Sequence, residues 1–229
     1  MKTGLMVALD IDDTAEAVAL AGELGDKVSA FKVGSQLYVR GGPSVIDKIR
    51  DAGGEVFLDL KFHDIPNTVR KAVEGVAERG ISFFTVHASG GSEMIKTAKE
   101  AAGDAKVLAV TVLTSLDSDD ATQIGFSEPL EKQVLRLARL ARNSGADGIV
   151  CSPLEVSKLR GSLDDDCILV TPGIRPAGSA SDDQARIATP AEAAGSGADY
   201  IVVGRPIVKA EDRIAAVDSI LDELDNLEH

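Results

Sequence analysis

Five charged residues lie at or just beyond the ends of three apolar segments: Asp10, Lys32, Asp59, Lys61 and Asp64. Side chains alternate between the two faces of an extended strand, so Asp59 and Lys61 are predicted to point the same way. Opposite charges in a buried position are costly unless they stabilise one another or a ligand. A lone Asp-x-Lys is typical of a structural ion pair, and Asp64 before Pro66 also fits a helix start. Five charges on one side of adjacent strands favour a functional site.

Two glycine–arginine segments late in the chain predict a phosphate site. They are Gly173-Ile174-Arg175 and Gly204-Arg205, and each follows an apolar run. Glycine lets a ligand approach the backbone closely, and arginine can donate two parallel hydrogen bonds to a phosphate. In (β/α)₈ barrels the loops after strands seven and eight commonly bind phosphate, which strengthens this otherwise weak signal.

The segments that must position these residues alternate between two kinds. Short runs rich in Val, Ile, Leu and Phe predict parallel strands covered on both faces, and amphipathic stretches between them predict helices. The predicted strands are 5–9, 30–33, 55–60, 83–86, 107–112, 148–151, 168–170 and 200–203, and the predicted helices include 14–24, 43–52, 67–79, 94–102, 130–143 and 213–224.

Eight strand–helix units in 229 residues predict an α/β fold, a single-domain (β/α)₈ TIM barrel over residues 1–226. Residues 227–229 are interpreted as the remnant of a tag. A doubly wound sheet is disfavoured by the eight regular units and by the lack of G-x-G-x-x-G after the first strand. Two long connections, 114–127 and 173–189, fall on the side where barrel enzymes build their sites. The second is equally typical of a mobile lid and of a solvated loop.

Composition excludes several classes of function. With 37 acidic and 24 basic residues the net charge is −13, which argues against a nucleic-acid or anionic-membrane surface. No apolar run approaches the roughly 20 residues of a membrane span, and no signal peptide is recognised, so a cytoplasmic protein is expected. Cys151 and Cys167 are expected to be reduced core thiols. No metal-ligand spacing is present, and His63 and His87 are interpreted as structural.

The sequence resembles the orotidine 5′-monophosphate decarboxylase family. The likeness rests on the ten-residue segment 59–68, Asp-Leu-Lys-Phe-His-Asp-Ile-Pro-Asn-Thr, which is a specific signature. Segments 8–10, 31–34, 171–175 and 203–206 match in order and place, so the resemblance covers residues 4–224.

This resemblance implies a homodimeric barrel that converts orotidylate to uridylate without a metal or organic cofactor. The implied catalytic array is Lys32, Asp59, Lys61 and the partner subunit's Asp64, with Lys61 as the proton donor. The implied substrate-binding residues are Asp10 at the ribose, Ile65 and Thr68 from the partner, Thr114 or Ser115 at the pyrimidine, Gln184, Gly204 and Arg205 at the phosphate, and also Pro172, Gly173 and Arg175.

Three alternatives remain open. A sugar-phosphate branch resembling 3-keto-gulonate-6-phosphate decarboxylase shares Asp-x-Lys-x-x-Asp, but it uses magnesium, which Lys32 would repel. A phosphosugar epimerase or isomerase would need a paired acid–base arrangement that His63 and His87 do not suggest. A phosphate-binding protein on a barrel that has lost catalysis would be expected to lack the charged residues at the strand ends.

Overall fold

Eight parallel strands close into a barrel in the computed structural model, which describes residues 2–176 and 187–226. Each strand pairs with its neighbours in chain order, and the eighth pairs with the first. This confirms the predicted (β/α)₈ barrel and excludes the doubly wound sheet. The strands are β1 Gly4–Ala8, β2 Ala30–Gly34, β3 Val56–Phe62, β4 Phe83–His87, β5 Lys106–Val110, β6 Gly148–Val150, β7 Ile168–Thr171 and β8 Tyr200–Val203.

Helices follow the strands and cover the outside of the barrel. Short 3₁₀ turns occupy Gly25–Lys27, Ala88–Gly90 and Pro153–Glu155. The α-helices are α1 Thr14–Leu24, α2 Ser35–Gly41, α3 Ser44–Asp51, α4 Pro66–Ala77, α5 Gly91–Ala101, α6 Ser118–Gln123, α7 Leu130–Asn143, α8 Val156–Arg160, α9 Pro190–Gly195, α10 Arg205–Val208 and α11 Arg213–Asp225.

Every predicted strand is present, with its ends displaced by at most two residues. The main error of the sequence analysis concerns short helices, such as α2 and α6. The connection 114–127 was expected to be irregular, yet α6 forms in it because the Asp117 carboxylate accepts hydrogen bonds from the Asp119 and Asp120 amides. An aspartate three residues before another acid is an N-terminal capping signal that could have predicted this helix.

The buried side chains form two layers. One lies between the strands and the helices, and a smaller one lies inside the barrel. Phe57, Phe83 and Tyr200 fill the amino-terminal end of the interior, with ring centroids 6.2 and 5.5 Å apart. Gly4 is required beside them, because a Cβ there would lie 2.7 Å from the Tyr200 ring. The barrel is thus filled at one end, which leaves room for a ligand at the other.

Two ion pairs tie strands together at the same amino-terminal end. Asp147 pairs with Lys99 at 2.7 Å and accepts a hydrogen bond from the Val107 amide. Asp199 pairs with Arg160 at 2.6 Å and accepts one from the amide of Leu169. Both aspartates end a Ser-Gly-Ala-Asp segment, 144–147 and 196–199, so the sequence repeat corresponds to a repeated structural contact.

Both cysteines are free and buried, as expected. Burial raises the pKa of Cys167 to about 11, and it raises that of Cys151 further. Both thiols therefore stay protonated at neutral pH and behave as small apolar groups. None of the helices in residues 2–176 and 187–226 has the length and apolar character needed to cross a bilayer.

Candidate active site

Four of the five predicted charged residues meet at the carboxyl-terminal mouth of the barrel, around a cavity of about 230 Å³. Lys32 Nζ lies 3.2 Å from Asp10 Oδ1 and 3.7 Å from Asp59 Oδ2. Lys61 Nζ lies 2.8 Å from Asp59 Oδ1 and 2.9 Å from Oδ2. The side chains therefore form a row of alternating charge, Asp10, Lys32, Asp59 and Lys61, along the ends of the first three strands.

Local backbone geometry at the end of β3 brings Asp59 and Lys61 together. Phe57 and Asp59 face the interior while Leu58 packs outside, as a period of two predicts. Lys61 departs from an ordinary strand, because its φ of 53° is the only positive value of a non-glycine residue in the described part of the chain. That conformation is strained for a lysine, and strain of this kind clusters at functional sites.

Asp59 stays ionised although it is largely buried. Burial raises its pKa, but the charges of Lys32 and Lys61 and hydrogen bonds from Lys61 and Thr85 oppose this, and together they hold the pKa of Asp59 below its usual value. The site therefore contains a fixed carboxylate between two ammonium groups. Because Asp59 is only 13% exposed, little water screens these interactions.

The predicted phosphate residues in the described part of the chain line the same cavity. Pro172, Gly173 and Arg175 come from the connection after β7, and Gly204 and Arg205 follow β8. Gly204 is suited to this place because a Cβ there would lie 3.3 Å from Ala8 Cβ. The cavity is thus lined by Lys32 and Lys61 from β2 and β3 and by Arg175 and Arg205 after β7 and β8, which suits a ligand with two anionic groups.

The connection 173–189 is closed at its base by a short parallel bridge. Ile174 pairs with Ala188, and the Arg175 amide donates to the Ala188 carbonyl at 2.9 Å. This bridge holds Arg175, which is 8% exposed, against the mouth of the barrel. Gln184, the third predicted phosphate ligand, lies outside the described residues.

The connection after β5 resolves the choice between Thr114 and Ser115 in favour of the first. Thr114 lines the cavity together with Val112 and Leu113, whereas Ser115 is exposed and does not line it. The structure therefore places Thr114, and not Ser115, where it can contact a ligand.

Asp64, Ile65 and Thr68 lie outside the cavity of their own chain. All three are exposed, Ile65 to 67%. The predicted helix start after Asp64 is confirmed, because α4 begins at Pro66, but Asp64 does not cap it: the N-cap is Ile65, and the Asp64 carboxylate accepts the Ile65 amide at 2.6 Å. The segment presents an acid and an apolar side chain to the surroundings of the molecule.

Sequence reasoning missed the apolar lining of the cavity. These residues occupy inward-facing positions of strands that were already predicted, so the alternation of faces could have identified most of them. Cys151, which follows β6, lies among them. The missed residues are Ala8, Phe57, Val110, Val112, Leu113, Val150, Cys151 and Val202.

His63 and His87 lie side by side next to Lys61, with ring centroids 5.3 Å apart. Partial burial lowers the pKa of His87, and the nearby His63 and Lys61 lower it further. His87 is therefore neutral at neutral pH. Within residues 2–176 and 187–226, no group of three or more His, Cys, Asp or Glu side chains is placed to hold a metal ion.

Comparisons with known proteins agree with this geometry. The sequence model of the Orotidine 5′-phosphate decarboxylase / HUMPS family matches residues 3–220. Proteins named orotidine 5′-phosphate decarboxylase from Trichlorobacter lovleyi and Paramagnetospirillum magneticum are 45% and 49% identical to this chain. The alignments cover 97% and 98% of this chain, and 95% and 99% of those proteins.

A solved structure gives the same result in three dimensions. The crystal structure of orotidine 5′-phosphate decarboxylase from Lactobacillus acidophilus superposes with a TM-score of 0.87 at 44% identity, covering 98% of this chain and all of that one. The likeness extends over the whole barrel, including the strand ends that carry the charged row. The chain therefore belongs to the orotidine 5′-phosphate decarboxylase / HUMPS family.

Proposed function

We propose that this protein decarboxylates orotidine 5′-monophosphate to uridine 5′-monophosphate in pyrimidine biosynthesis, without a metal or organic cofactor. One observation carries the proposal: Lys61 Nζ lies 2.8 Å from Asp59, in a charged row that faces a cavity also lined by Arg175 and Arg205. A ligand that bears a phosphate at one end and a reacting carboxylate at the other matches that distribution of charge.

Lys61 is the group that acts on the reacting carbon. When the pyrimidine carboxylate leaves as CO₂, its electron pair remains on a ring carbon that has no adjacent electron sink. A fixed ammonium stabilises this developing charge and then donates a proton to the same carbon. The neutral lysine recovers its proton from solvent, so the reaction needs no further reagent.

Asp59 has a different role, since it carries the same charge as the departing carboxylate. Repulsion between the two raises the energy of the bound substrate relative to a transition state in which CO₂ is leaving. Lys32 holds Asp59 from the other side and also reaches Asp10, which is placed to bind the ribose. The row thus keeps each charge in place while the substrate changes.

The phosphate is bound far from the carbon that reacts. Gly204 and Arg205, with Pro172, Gly173 and Arg175, hold this remote group, and Thr114 contacts the pyrimidine. Binding energy from a remote group can offset the cost of placing the substrate carboxylate beside Asp59. Gln184 is proposed as a further phosphate ligand on the basis of the family resemblance.

We also propose a homodimer in which each active site is completed by the other chain. The partner subunit's Asp64 would extend the charged row, and the partner subunit's Ile65 and Thr68 would line the pocket. Two features support this: the three residues are exposed, and none lines the cavity of its own chain. In a symmetric dimer the same segment of each chain can lie against the mouth of the other, which would bury Ile65.

Residues 1–226 are proposed to form one domain, with 227–229 as a tag remnant that lies outside the described residues. A surface that binds neither nucleic acid nor membrane is proposed from the net charge of −13, and a cytoplasmic location is proposed from the role in pyrimidine biosynthesis.

The decisive experiment is an ultraviolet assay with orotidylate in the presence of excess EDTA. We expect full conversion to uridylate, equal to that of untreated enzyme. A strict need for magnesium, or turnover only of a sugar-phosphate acid, would move the chain to the sugar-phosphate branch of the family.

The shared site has its own test. Lys61→Ala and Asp64→Ala chains, each inactive alone, should regain part of the activity when mixed, because one of the two sites in a heterodimer then has both residues. Confirmed heterodimers with no recovered activity would contradict a site shared in this way.

A further inference from the structure

Thr85 is a buried polar residue at the active site to which the mechanism above gives no role. It lies on β4 and is 0% exposed. Its Oγ1 is 2.8 Å from the Lys61 backbone nitrogen and 2.9 Å from Asp59 Oδ1. Thr85 does not line the cavity, so it has no direct contact with a bound nucleotide. Any effect on the reaction must act through Asp59 and Lys61.

The direction of both hydrogen bonds follows from the chemistry of the partners. The Lys61 amide can only donate, so Thr85 Oγ1 accepts from it. Asp59 is ionised and can only accept, so the Thr85 hydroxyl proton is donated to it. The Thr85 hydroxyl thus donates one hydrogen bond to Asp59 and accepts one from Lys61, both on β3. Because Thr85 is fully buried, water does not compete for either bond.

An irregularity of the sheet explains why a side chain is needed there. The pairing of β3 with β4 runs Phe57 to Phe83 and Leu58 to Phe84, and it resumes only at Phe62 with Val86. Four residue steps along β3, from Leu58 to Phe62, thus match only two along β4, from Phe84 to Val86. The strand β3 therefore forms a bulge at Asp59, Leu60 and Lys61. Within the bulge the Lys61 amide lacks its regular backbone acceptor, and the Thr85 hydroxyl takes that place.

We propose that Thr85 is a positioning residue, which holds the left-handed backbone of Lys61 and the carboxylate of Asp59 in the arrangement that decarboxylation requires. This inference rests on the proposed function and adds a residue to its machinery. A left-handed lysine persists only where surrounding contacts determine it. Thr85 contacts both members of the Asp59–Lys61 ion pair. The bond that it accepts fixes the backbone of Lys61, and the bond that it donates fixes Asp59 Oδ1, which Lys61 Nζ also contacts.

Several charged or titratable groups surround Asp59 and influence its pKa, so they must be considered when loss of the Thr85 hydroxyl is measured by titration of Asp59. Lys32 of β2 and Lys61 of β3 face the carboxylate, Asp10 after β1 faces Lys32, and His87 of β4 lies nearby. His63 lies beside His87, with the two rings tilted at 42° to one another. None of these side chains is itself altered in the Thr85 variants, so a shift in the titration of Asp59 would report the loss of the Thr85 hydroxyl.

Two matched pairs of side chains isolate the hydroxyl. Thr85→Val has the same shape without it, and Thr85→Ser and Thr85→Ala differ from each other only in its presence. We expect kcat to fall roughly 10- to 100-fold in the valine variant, because a hydrogen bond to a charged group contributes about 1.5–3 kcal/mol. KM should change about twofold or less, and serine should exceed alanine in kcat by a similar factor. If the valine variant fails to fold, the serine and alanine pair still decides.

A second measurement does not depend on turnover. In the ¹³C spectrum of enzyme labelled at aspartate carboxyl carbons, the titration midpoint of Asp59 should move upward in Thr85→Val and stay near that of the wild type in Thr85→Ser. Thr97→Val serves as the control, because Thr97 is a buried threonine on α5 outside the site.

The outcomes separate this inference from the proposed function. Valine and alanine variants with kcat values within threefold of their hydroxyl counterparts would overturn the role of Thr85, as would an unchanged Asp59 midpoint. Wild-type enzyme that does not act on orotidylate would overturn the proposed function, while the carboxyl titration would still decide whether Thr85 holds Asp59.

Discussion

Ion pairs lie at both ends of the barrel, and they differ in what surrounds them. At the amino-terminal end Asp147 pairs with Lys99 and, at 3.8 Å, with Lys106, Asp199 pairs with Arg160, and each aspartate accepts the amide of a neighbouring strand. At the carboxyl-terminal mouth Asp59 is shared by Lys32 and Lys61, and the row opens onto a cavity. The first arrangement links segments of the same chain to one another, and the second leaves charged groups available to a ligand.

The comparison shows that a partly buried ion pair is not by itself evidence of a catalytic site. Both ends use the same chemistry, carboxylates 2.6–2.8 Å from cationic nitrogens. The difference lies in the remaining hydrogen-bonding capacity. Each aspartate at the amino-terminal end also holds a backbone amide, whereas Lys61 lines the cavity, where its ammonium group has donors to offer a ligand.

Lys61→Ala is expected to have the largest effect. Decarboxylation should fall by at least about 10³-fold, because the variant loses both the stabilising ammonium and the proton donor. Binding of a product analogue and the thermal unfolding temperature should be nearly unchanged. The matched control is Lys71→Ala, an exposed lysine on α4. Near-normal turnover in the Lys61 variant would contradict the mechanism.

Asp199→Ala should show the opposite pattern. It removes the partner of Arg160 and the acceptor of the Leu169 amide, so we expect a loss of about 1–3 kcal/mol in the free energy of unfolding. The kcat of the folded fraction should stay within about twofold. Urea titration and active-site counting measure the two quantities. A stable Asp199 variant with reduced kcat would break the distinction between the two ends.

Lowering the pH should reduce the free energy of unfolding in two stages, through two residues at the mouth of the barrel. The pKa of His87 is lowered in the fold by burial and nearby charge, so below its ordinary value of 6.5 the unfolded chain binds the proton first and stability falls. The depressed pKa of Asp59 stabilises the fold above the ordinary value of 3.8, and that contribution is lost as the pH drops further. His87→Asn should lose less stability than the wild type between pH 7.5 and 5.5 in urea titrations. Equal losses would show that His87 does not cause the first stage.

The smallest effect is expected at a solvent-exposed pair on α4. Lys71 and Glu74 lie 2.7 Å apart, with side chains 69% and 39% exposed. Lys71→Ala should change the free energy of unfolding by about 0.5 kcal/mol or less, since water and salt screen such pairs. A loss as large as that of Asp199→Ala would mean that burial does not account for the difference among the ion pairs.

Much of the site could be predicted because its charged residues lie at the ends of individual strands. Lys32, Asp59 and Lys61 interrupt or end apolar runs, and the two-residue period of a strand already placed Asp59 and Lys61 on one face. The phosphate residues were found from glycine and arginine after the last two strands. Thr114 could not be separated from Ser115, because the path of an irregular connection depends on packing against distant segments.

The sequence by itself determined the barrel, the strand ends that carry the charges and the family, because these depend on local periodicity and on a ten-residue signature. Only the tertiary structure decided how the charges are held. The bulge in β3, the positive φ of Lys61 and the hydroxyl of Thr85 that joins its backbone to Asp59 arise from the register between two strands. Register is a relation between segments more than twenty residues apart, so no pattern within either strand contains it.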